Sequence, residues 1–292
     1  MTDSPATEGG VGGRFDRREA ADGPVDGFSP AELAAWTGGQ WLGAAPAEAL
    51  RGFHFDSRQL RSGECFAALG GAGRDGHDYV GDARERGVAV SLPQLRVPDV
   101  LEALGAVAGE VRRTFPGPVV AITGSSGKTS TKEMLRHLLG AAQTHATRGN
   151  WNNRIGVPMT LFALDPRRHR RAVIEAGINQ PGEMERLGRM IAADVVVVTN
   201  IGPAHLELLG SEAAIADEKA ALVRRARSGA PVFADVSAAR HEAFRAFGGR
   251  LVVVAEAGAS VPEGCGRVCR YTLVRGEDGG RVVRFADGGA PV

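Results

Sequence analysis

The chain has 292 residues, more than one typical domain of about 100–200 residues requires, so two domains are expected. Its 35 Lys and Arg nearly balance 34 Asp and Glu, which gives bulk electrostatics no bias toward nucleic acid or an anionic membrane, and 43% hydrophobic residues exclude disorder throughout. The three cysteines, Cys65, Cys265 and Cys269, exclude a disulfide framework and fit free thiols in a reducing cytoplasm, and the spacing of the last two, with no histidine pair behind them, gives no zinc site.

Residues 1–28 are rich in Gly, Asp, Arg and Pro without an apolar period, and a disordered tail is expected there. The sequence starts with no charged segment leading into an apolar one, and no run approaches the ~18 apolar residues of a membrane span, so a soluble cytoplasmic protein is expected. Ser29 followed by Pro30 predicts a helix cap, with a short helix running through Leu33 and Trp36 to Gly38-Gly39. Phe53–Phe55 and Cys65–Leu69 read as short strands separated by the polar Asp56-Ser57-Arg58, and a glycine-rich loop from Gly70 to Gly76 follows. Val100, Leu101, Leu104, Val107 and Val111 recur at helical spacing over 99–115. Phe115-Pro116-Gly117-Pro118 then punctuates the chain, which places one domain at 29–116 and a second at 117–292.

In the second domain the apolar runs Val119–Ile122, Ala172–Ile174, Val195–Val198, Val232–Ala234 and Leu251–Val254 alternate with helical segments near 129–139, 183–192 and 212–227. That alternation predicts an α/β domain around a mostly parallel sheet. Tyr271–Arg275 and Arg281–Phe285 flank a glycine-containing turn and read as a hairpin.

Directly after the first of these strands comes Gly124-Ser125-Ser126-Gly127-Lys128-Thr129-Ser130, and a helix pattern follows. Strand, glycine loop and helix are the context of a phosphate-binding P-loop, although the pattern's first glycine would fall at Ile122. In such a loop the backbone amides converge on phosphate oxygens, Lys128 reaches the β- and γ-phosphates of ATP, and the Thr129 hydroxyl is a magnesium ligand. Ligands of open parallel sheets bind beyond the carboxyl ends of the strands. Glu175, His205 and, in a helix, Lys219 fall in such places and are candidate metal-site residues. Lysine stands only at Lys128, Lys132 and Lys219 among the 35 basic residues, which singles out positions where a guanidinium does not serve.

The stretch Thr147-Arg148-Gly149-Asn150-Trp151-Asn152-Asn153-Arg154-Ile155-Gly156-Val157-Pro158, then Glu175-Ala176-Gly177 with Pro181-Gly182-Glu183-Met184, then Thr199–Glu207 with Gly210-Ser211 and Lys219, resembles the Mur ligases. Asp56-Ser57-Arg58, Gly63–Leu69 and Asp75-Gly76-His77 resemble the uridine-nucleotide-binding domain of that family's later-acting members. The doubled Asn152-Asn153 before Ile155-Gly156-Val157-Pro158 favours the member that adds D-alanyl-D-alanine to UDP-N-acetylmuramoyl-tripeptide in peptidoglycan precursor synthesis.

The resemblance implies a small α/β UDP-binding domain followed by a P-loop ATP-binding domain. It implies an ATP- and magnesium-dependent amide ligase working through an acyl phosphate, monomeric, with small-molecule substrates and no nucleic-acid partner. By position it assigns ATP to the loop Gly124–Ser130, one magnesium to Thr129 and Glu175, and a second to His205 and a carbamylated Lys219. The uridine end of the substrate goes to Asp56, Ser57 and Arg58, and its peptide end lies near Asn150, Asn152 and Asn153. The family's C-terminal domain and its asparagine-rich helix are not recognisable after residue 255, so a ligase truncated at that end is expected. The competing readings are a sibling adding a single amino acid to the UDP-linked dipeptide, a polyglutamate-type ligase, a non-catalytic nucleotide-binding fragment and a P-loop switch.

Overall fold

Eight strands form one sheet in the order β14-β13-β12-β11-β10-β7-β9-β8, parallel throughout except for the last pair, β13 and β14. The strands are β7 (Val119–Thr123), β8 (Thr144–Ala146), β9 (Arg171–Glu175), β10 (Val195–Val198), β11 (Val232–Asp235), β12 (Leu251–Glu256), β13 (Arg267–Arg275) and β14 (Arg281–Phe285). The computed structural model describes residues 27–71, 74–85, 94–204, 206–275 and 281–286. The predicted α/β class with a mostly parallel sheet is the observed one.

Ahead of the sheet come α1 (Pro30–Thr37), β1 (Gln40–Leu42), β2 (Gly52–His54), β3 (Glu64–Phe66), β4 (Gly70–Gly71), β5 (Arg74–Asp75), α2 (Val80–Glu85), β6 (Gln94–Arg96) and α3 (Val100–Thr114). The small strands pair two by two: β1 with β6, β2 with β3 in parallel, and β4 with β5. Between and after the main strands run α4 (Lys128–Leu138), α5 (Gly156–Phe162), α6 (Glu183–Ile191), α7 (Leu206–Leu209), α8 (Glu212–Arg224), α9 (Val236–Ala239) and α10 (Glu242–Arg245). Helix α3 packs against α1, α5 and α6, and α6 packs against α8, while α4 lies over β7, β8 and β9.

The predicted cap of α1 is present as a reciprocal pair, with the Glu32 amide donating to Ser29 Oγ at 3.4 Å and the Ser29 amide to Glu32 Oε2 at 3.3 Å. Ser29→Ala is expected to lose about 1 kcal/mol, read as a lower urea midpoint at unchanged slope, and an unmoved midpoint would show the cap to be idle.

Residues 27 and 28, counted with the expected tail, are described. Phe28 is 1% exposed and exchanges backbone hydrogen bonds with Leu50, and its ring lies 5.1 Å from Phe53 and 5.6 Å from Phe162. With Phe53 stacked on Phe162 at 5.0 Å, this trio joins β2 to the end of α5. The rest of the tail prediction, residues 1–26, lies outside the described residues.

Burial explains what the sequence pattern missed. All seven residues of α5 are buried, so the helix shows no amphipathic period, and β8 is only three residues long. The predicted hairpin of β13 and β14 is observed, and β13 also runs parallel to β12, so the pair extends the main sheet.

A buried arginine ties α3 to the start of the sheet. Arg112 donates to Asp194 at 2.6 Å and to the carbonyls of Ile191 and Ala192, while Asp194 also accepts the Val119 amide at 2.8 Å. Among the described residues, no helix is long and apolar enough to cross a membrane.

Candidate active site

The strand order places β7 between β9 and β10, although β8 and β9 follow β7 in sequence and β10 comes later. This reversal is the switch point at which open parallel sheets bind ligands, and three chain segments leave adjacent carboxyl ends there. From β7 comes the loop Gly124–Gly127 leading into α4, from β9 comes Glu175, and from β10 come Thr199 and Asn200.

The loop is braced from the β10 side. Asn200 accepts the Ser125 amide on its carbonyl at 3.0 Å and the Ser126 amide on Oδ1 at 2.9 Å, and its Nδ2 donates to Ser126 Oγ at 2.7 Å. Ser125 Oγ donates to the Gly202 carbonyl and accepts the Gly202 amide, each at 3.0 Å. Lys128 folds back onto the loop, its Nζ donating to the Gly124 carbonyl at 2.8 Å. As first residues of α4, Lys128, Thr129 and Ser130 present amides with no carbonyl one turn earlier in the helix, the ordinary anion-binding end of a helix. Burial lowers the Lys128 pKa, and the Glu175 charge opposes the shift.

Glu175 is 1% exposed and has a dense set of partners. Its Oε2 accepts Thr129 Oγ1 at 3.0 Å, its Oε1 accepts Asn152 Nδ2 at 2.7 Å, and its amide donates to Thr147 Oγ1 at 2.8 Å. Gly177 leaves room for Asn152, whose carbonyl accepts the Gly177 amide at 2.8 Å.

The sequence-predicted Lys128, Thr129, Glu175 and Asn152 therefore meet. Asn153 is used locally, its Oδ1 accepting the amides of Ile155 and Gly156 where α5 begins, and Asn150 is exposed in the preceding turn. His205 lies outside the described residues.

Lys219 sits in α8, whose start is capped by Ser211 Oγ accepting the Ala214 amide at 3.1 Å. Its side chain is 1% exposed. Burial and then the Lys128 charge push its pKa down to about 8, against the pull of Glu218. Glu218 itself holds the start of α6, accepting the Gly182 amide at 3.0 Å and the Met184 amide at 2.9 Å.

The donor set fits a hard divalent cation. Thr129 and Glu175 offer a hydroxyl and a carboxylate side by side, and magnesium takes one or two such groups plus substrate phosphates and water. In keeping with that sparse ligation, no cluster of three or more His, Cys, Asp or Glu able to hold a metal occurs among the described residues.

Asp56, Ser57 and Arg58 stand apart, in the turn after β2. Asp56 Oδ1 accepts the Arg58 amide at 3.0 Å and Arg58 Nε at 2.8 Å, and these bonds hold its carboxyl well below the usual range. Ser57 is buried, while the Arg58 side chain is 75% exposed and presents one edge outward. Near this turn Cys65 lines an apolar cavity of about 450 Å³ with Leu33, Trp41, Phe53 and Leu104. Burial pushes its thiol up to about 12, which excludes a thiolate nucleophile at neutral pH.

Sequence reasoning did not assign a role to Thr147, Thr199 or Asn200. All three act through contacts with residues distant in the chain, and the sequence marked them only as members of the stretches that resemble the Mur ligases.

Residues 122–254 match the Mur ligase middle domain. This chain thus carries a Mur ligase middle domain. It is 37% identical over 187 residues to the UDP-N-acetylmuramoyl-tripeptide--D-alanyl-D-alanine ligase of Bacillus subtilis, covering 60% of this chain and 41% of that one. With the Escherichia coli enzyme of the same name it shares 42% identity over 174 residues, 56% of this chain and 38% of that one. Among solved structures, MurF of Acinetobacter baumannii superposes with a TM-score of 0.76 at 30% identity, over 91% of this chain and 60% of that one. MurF of Thermotoga maritima in complex with ADP gives a TM-score of 0.65 at 26% identity, over 80% and 55% of the respective chains. The chain thus spans about two fifths of the length of the curated relatives it matches.

Proposed function

We propose that the chain acts in an ATP-dependent amide ligation of peptidoglycan precursor synthesis, joining D-alanyl-D-alanine to UDP-N-acetylmuramoyl-tripeptide with release of ADP and phosphate. The observation that carries this reading is the junction of Thr129, Glu175 and Asn152, which brings the nucleotide loop and the doubled-asparagine turn onto one buried carboxylate.

A peptide carboxylate does not react with an amine at neutral pH. Attack of a carboxylate oxygen on the γ-phosphorus of ATP, with departure of ADP, converts it to an acyl phosphate. The amine of D-alanyl-D-alanine then adds to the acyl carbon, and the tetrahedral adduct expels phosphate as the nitrogen loses its proton. The loop Gly124–Ser130 holds the ATP phosphates through its amides, and Lys128 places its ammonium against the transferring group. Thr129 and Glu175, and separately His205 with a carbamylated Lys219, would hold magnesium, which when bound would supply charge that screens the two approaching anions. Asp56, Ser57 and Arg58 bind the uridine end, with the outward edge of Arg58 available to its phosphates, and Asn150, Asn152 and Asn153 line the peptide end.

The relatives' names and the ADP in the Thermotoga maritima complex support this assignment. This chain is expected to bind magnesium-ATP and UDP-N-acetylmuramoyl-tripeptide in calorimetry, and joined to the family's C-terminal domain it is expected to release ADP only when D-alanyl-D-alanine is added. A preference for a free diamino acid as acceptor, or no calorimetric binding of the UDP-linked tripeptide, would overturn the assignment.

A further inference from the structure

Helix α4 buries one side chain, and it is a lysine. Lys132 is fully buried, whereas Met134 and Leu138 on the same helix are 58% and 67% exposed. Burying an ammonium costs several kcal/mol unless its donors are matched, so a hydrophobic residue would be the less costly choice. The chain also uses arginine for nearly every other positive charge.

The surroundings of Nζ are all oxygen. It donates to the Gly149 carbonyl at 2.9 Å, lies 3.1 Å from Glu133 Oε1 and lies 3.9 Å from Glu175 Oε2. An ammonium has three donors, and here one meets the Gly149 carbonyl while the Glu133 and Glu175 carboxylates balance the charge. Gly149 opens the turn that continues through the Trp151-to-Arg148 and Asn152-to-Asn150 backbone bonds, and Asn152 then donates to the other oxygen of Glu175. The contacts close a ring: Lys132, Gly149, Asn152, Glu175 and back to Lys132.

We propose that Lys132 is a positioning residue that clamps the peptide-side turn Gly149–Asn153 onto the metal-side carboxylate Glu175, so that the two substrates' binding surfaces are set by one ammonium. The inference rests on the function proposed above. Lys132 reaches neither nucleotide nor peptide in this reading. It acts through the carbonyl of Gly149 and through Glu175, as groups behind metal ligands commonly do.

The test is calorimetric, on the whole chain, with three probes: ADP in EDTA, ADP with magnesium, and UDP-N-acetylmuramoyl-tripeptide. In Lys132→Met the affinities for magnesium-ADP and for the UDP-linked tripeptide are expected to fall roughly tenfold or more, in the range usual for loss of an outer partner of a metal ligand. Metal-free ADP, bound by the loop amides, is expected to keep its affinity. Should Lys132→Met not fold, Lys132→Gln, which can still donate to Gly149, is judged by the same comparison. Glu133→Gln, on the exposed side of the cluster, is expected to leave all three affinities in place. Magnesium-ADP affinity that merely tracks metal-free ADP, whether both stay or both fall, would reduce Lys132 to a fold contact and overturn the proposal. Wild-type protein that binds neither magnesium-ADP nor the tripeptide would instead remove the functional reading beneath it.

Discussion

Replacing Lys219 by alanine is expected to lower D-alanyl-D-alanine-dependent ADP release by two to three orders of magnitude, with partial recovery when short carboxylates such as acetate are added. The size follows from the role: a second cation on the transferring phosphate contributes several kcal/mol, and each ~1.4 kcal/mol is tenfold in rate. Acetate can supply an oxygen ligand where the proposed carbamate would stand. Full activity without any additive would show that Lys219 holds no metal.

The modification itself has a pH signature. Carbon dioxide adds to a neutral amine, forming the N–C bond and releasing a proton, so the reactive form of Lys219 is the unprotonated one. With its pKa pushed to about 8 by burial and the Lys128 charge, about half of Lys219 is neutral at pH 8, against about 0.3% for an ordinary lysine. At fixed dissolved carbon dioxide, the initial rate at which the carbamate signal from labelled carbon dioxide appears in a carbon-13 spectrum is therefore expected to rise from pH 6.5 and level off above pH 8. The sign is set by desolvation, which disfavours the charged form of a buried lysine. A rate still climbing steeply at pH 9.5 would mean an amine in an ordinary aqueous environment. No signal in the wild type, or the same signal in Lys219→Ala, would remove the modification from the account.

Elements whose physics is local were legible in the sequence. The valine-rich runs of β7, β10 and β12, the capped start of α1 and the strand–loop–helix at Gly124–Ser130 each carry their signal within about ten residues. Helix α5 was not legible, because a helix buried on every side has no polar face to set a period. Phe28 was lost for the opposite reason, a single core aromatic at the end of a polar, glycine-rich stretch. In the candidate site, the residue types at Lys128, Thr129 and Glu175 were readable from their places after strands. That Asn152 and Thr129 take the two oxygens of the same carboxylate was not, since those partners lie 23 and 46 residues away from Glu175. Lys132 stood out only as one of three lysines, and its partner Gly149 is 17 residues further along. Pattern reading finds chemistry that a segment can do alone and misses the clamps between segments.

Gly124→Ala is expected to weaken ADP binding by about 5- to 150-fold while the far-ultraviolet circular dichroism of the sheet is retained. Gly124 has φ of +146°, a backbone conformation that costs a residue with a side chain about 1–3 kcal/mol, and the affinity range is that energy expressed as a ratio. A methyl group there would run into Thr199 Oγ1 and lie 3.1 Å from the Asn200 amide nitrogen. Thr199 cannot simply turn aside, because its Oγ1 donates to the Ser126 carbonyl at 2.6 Å and so holds the far side of the same loop. The loop must open to accommodate the methyl group, and the carbonyl that receives Lys128 Nζ moves with it. Thr199→Ala on the same background separates the two costs. It removes the obstructing oxygen but leaves the backbone strain, so the double variant is expected to regain part of the lost affinity and to depart from additivity. Strictly additive losses would mean that strain at Gly124, and not its contact with β10, is what excludes a side chain. Unchanged affinity in Gly124→Ala would mean that the loop does not hold this shape when nucleotide binds.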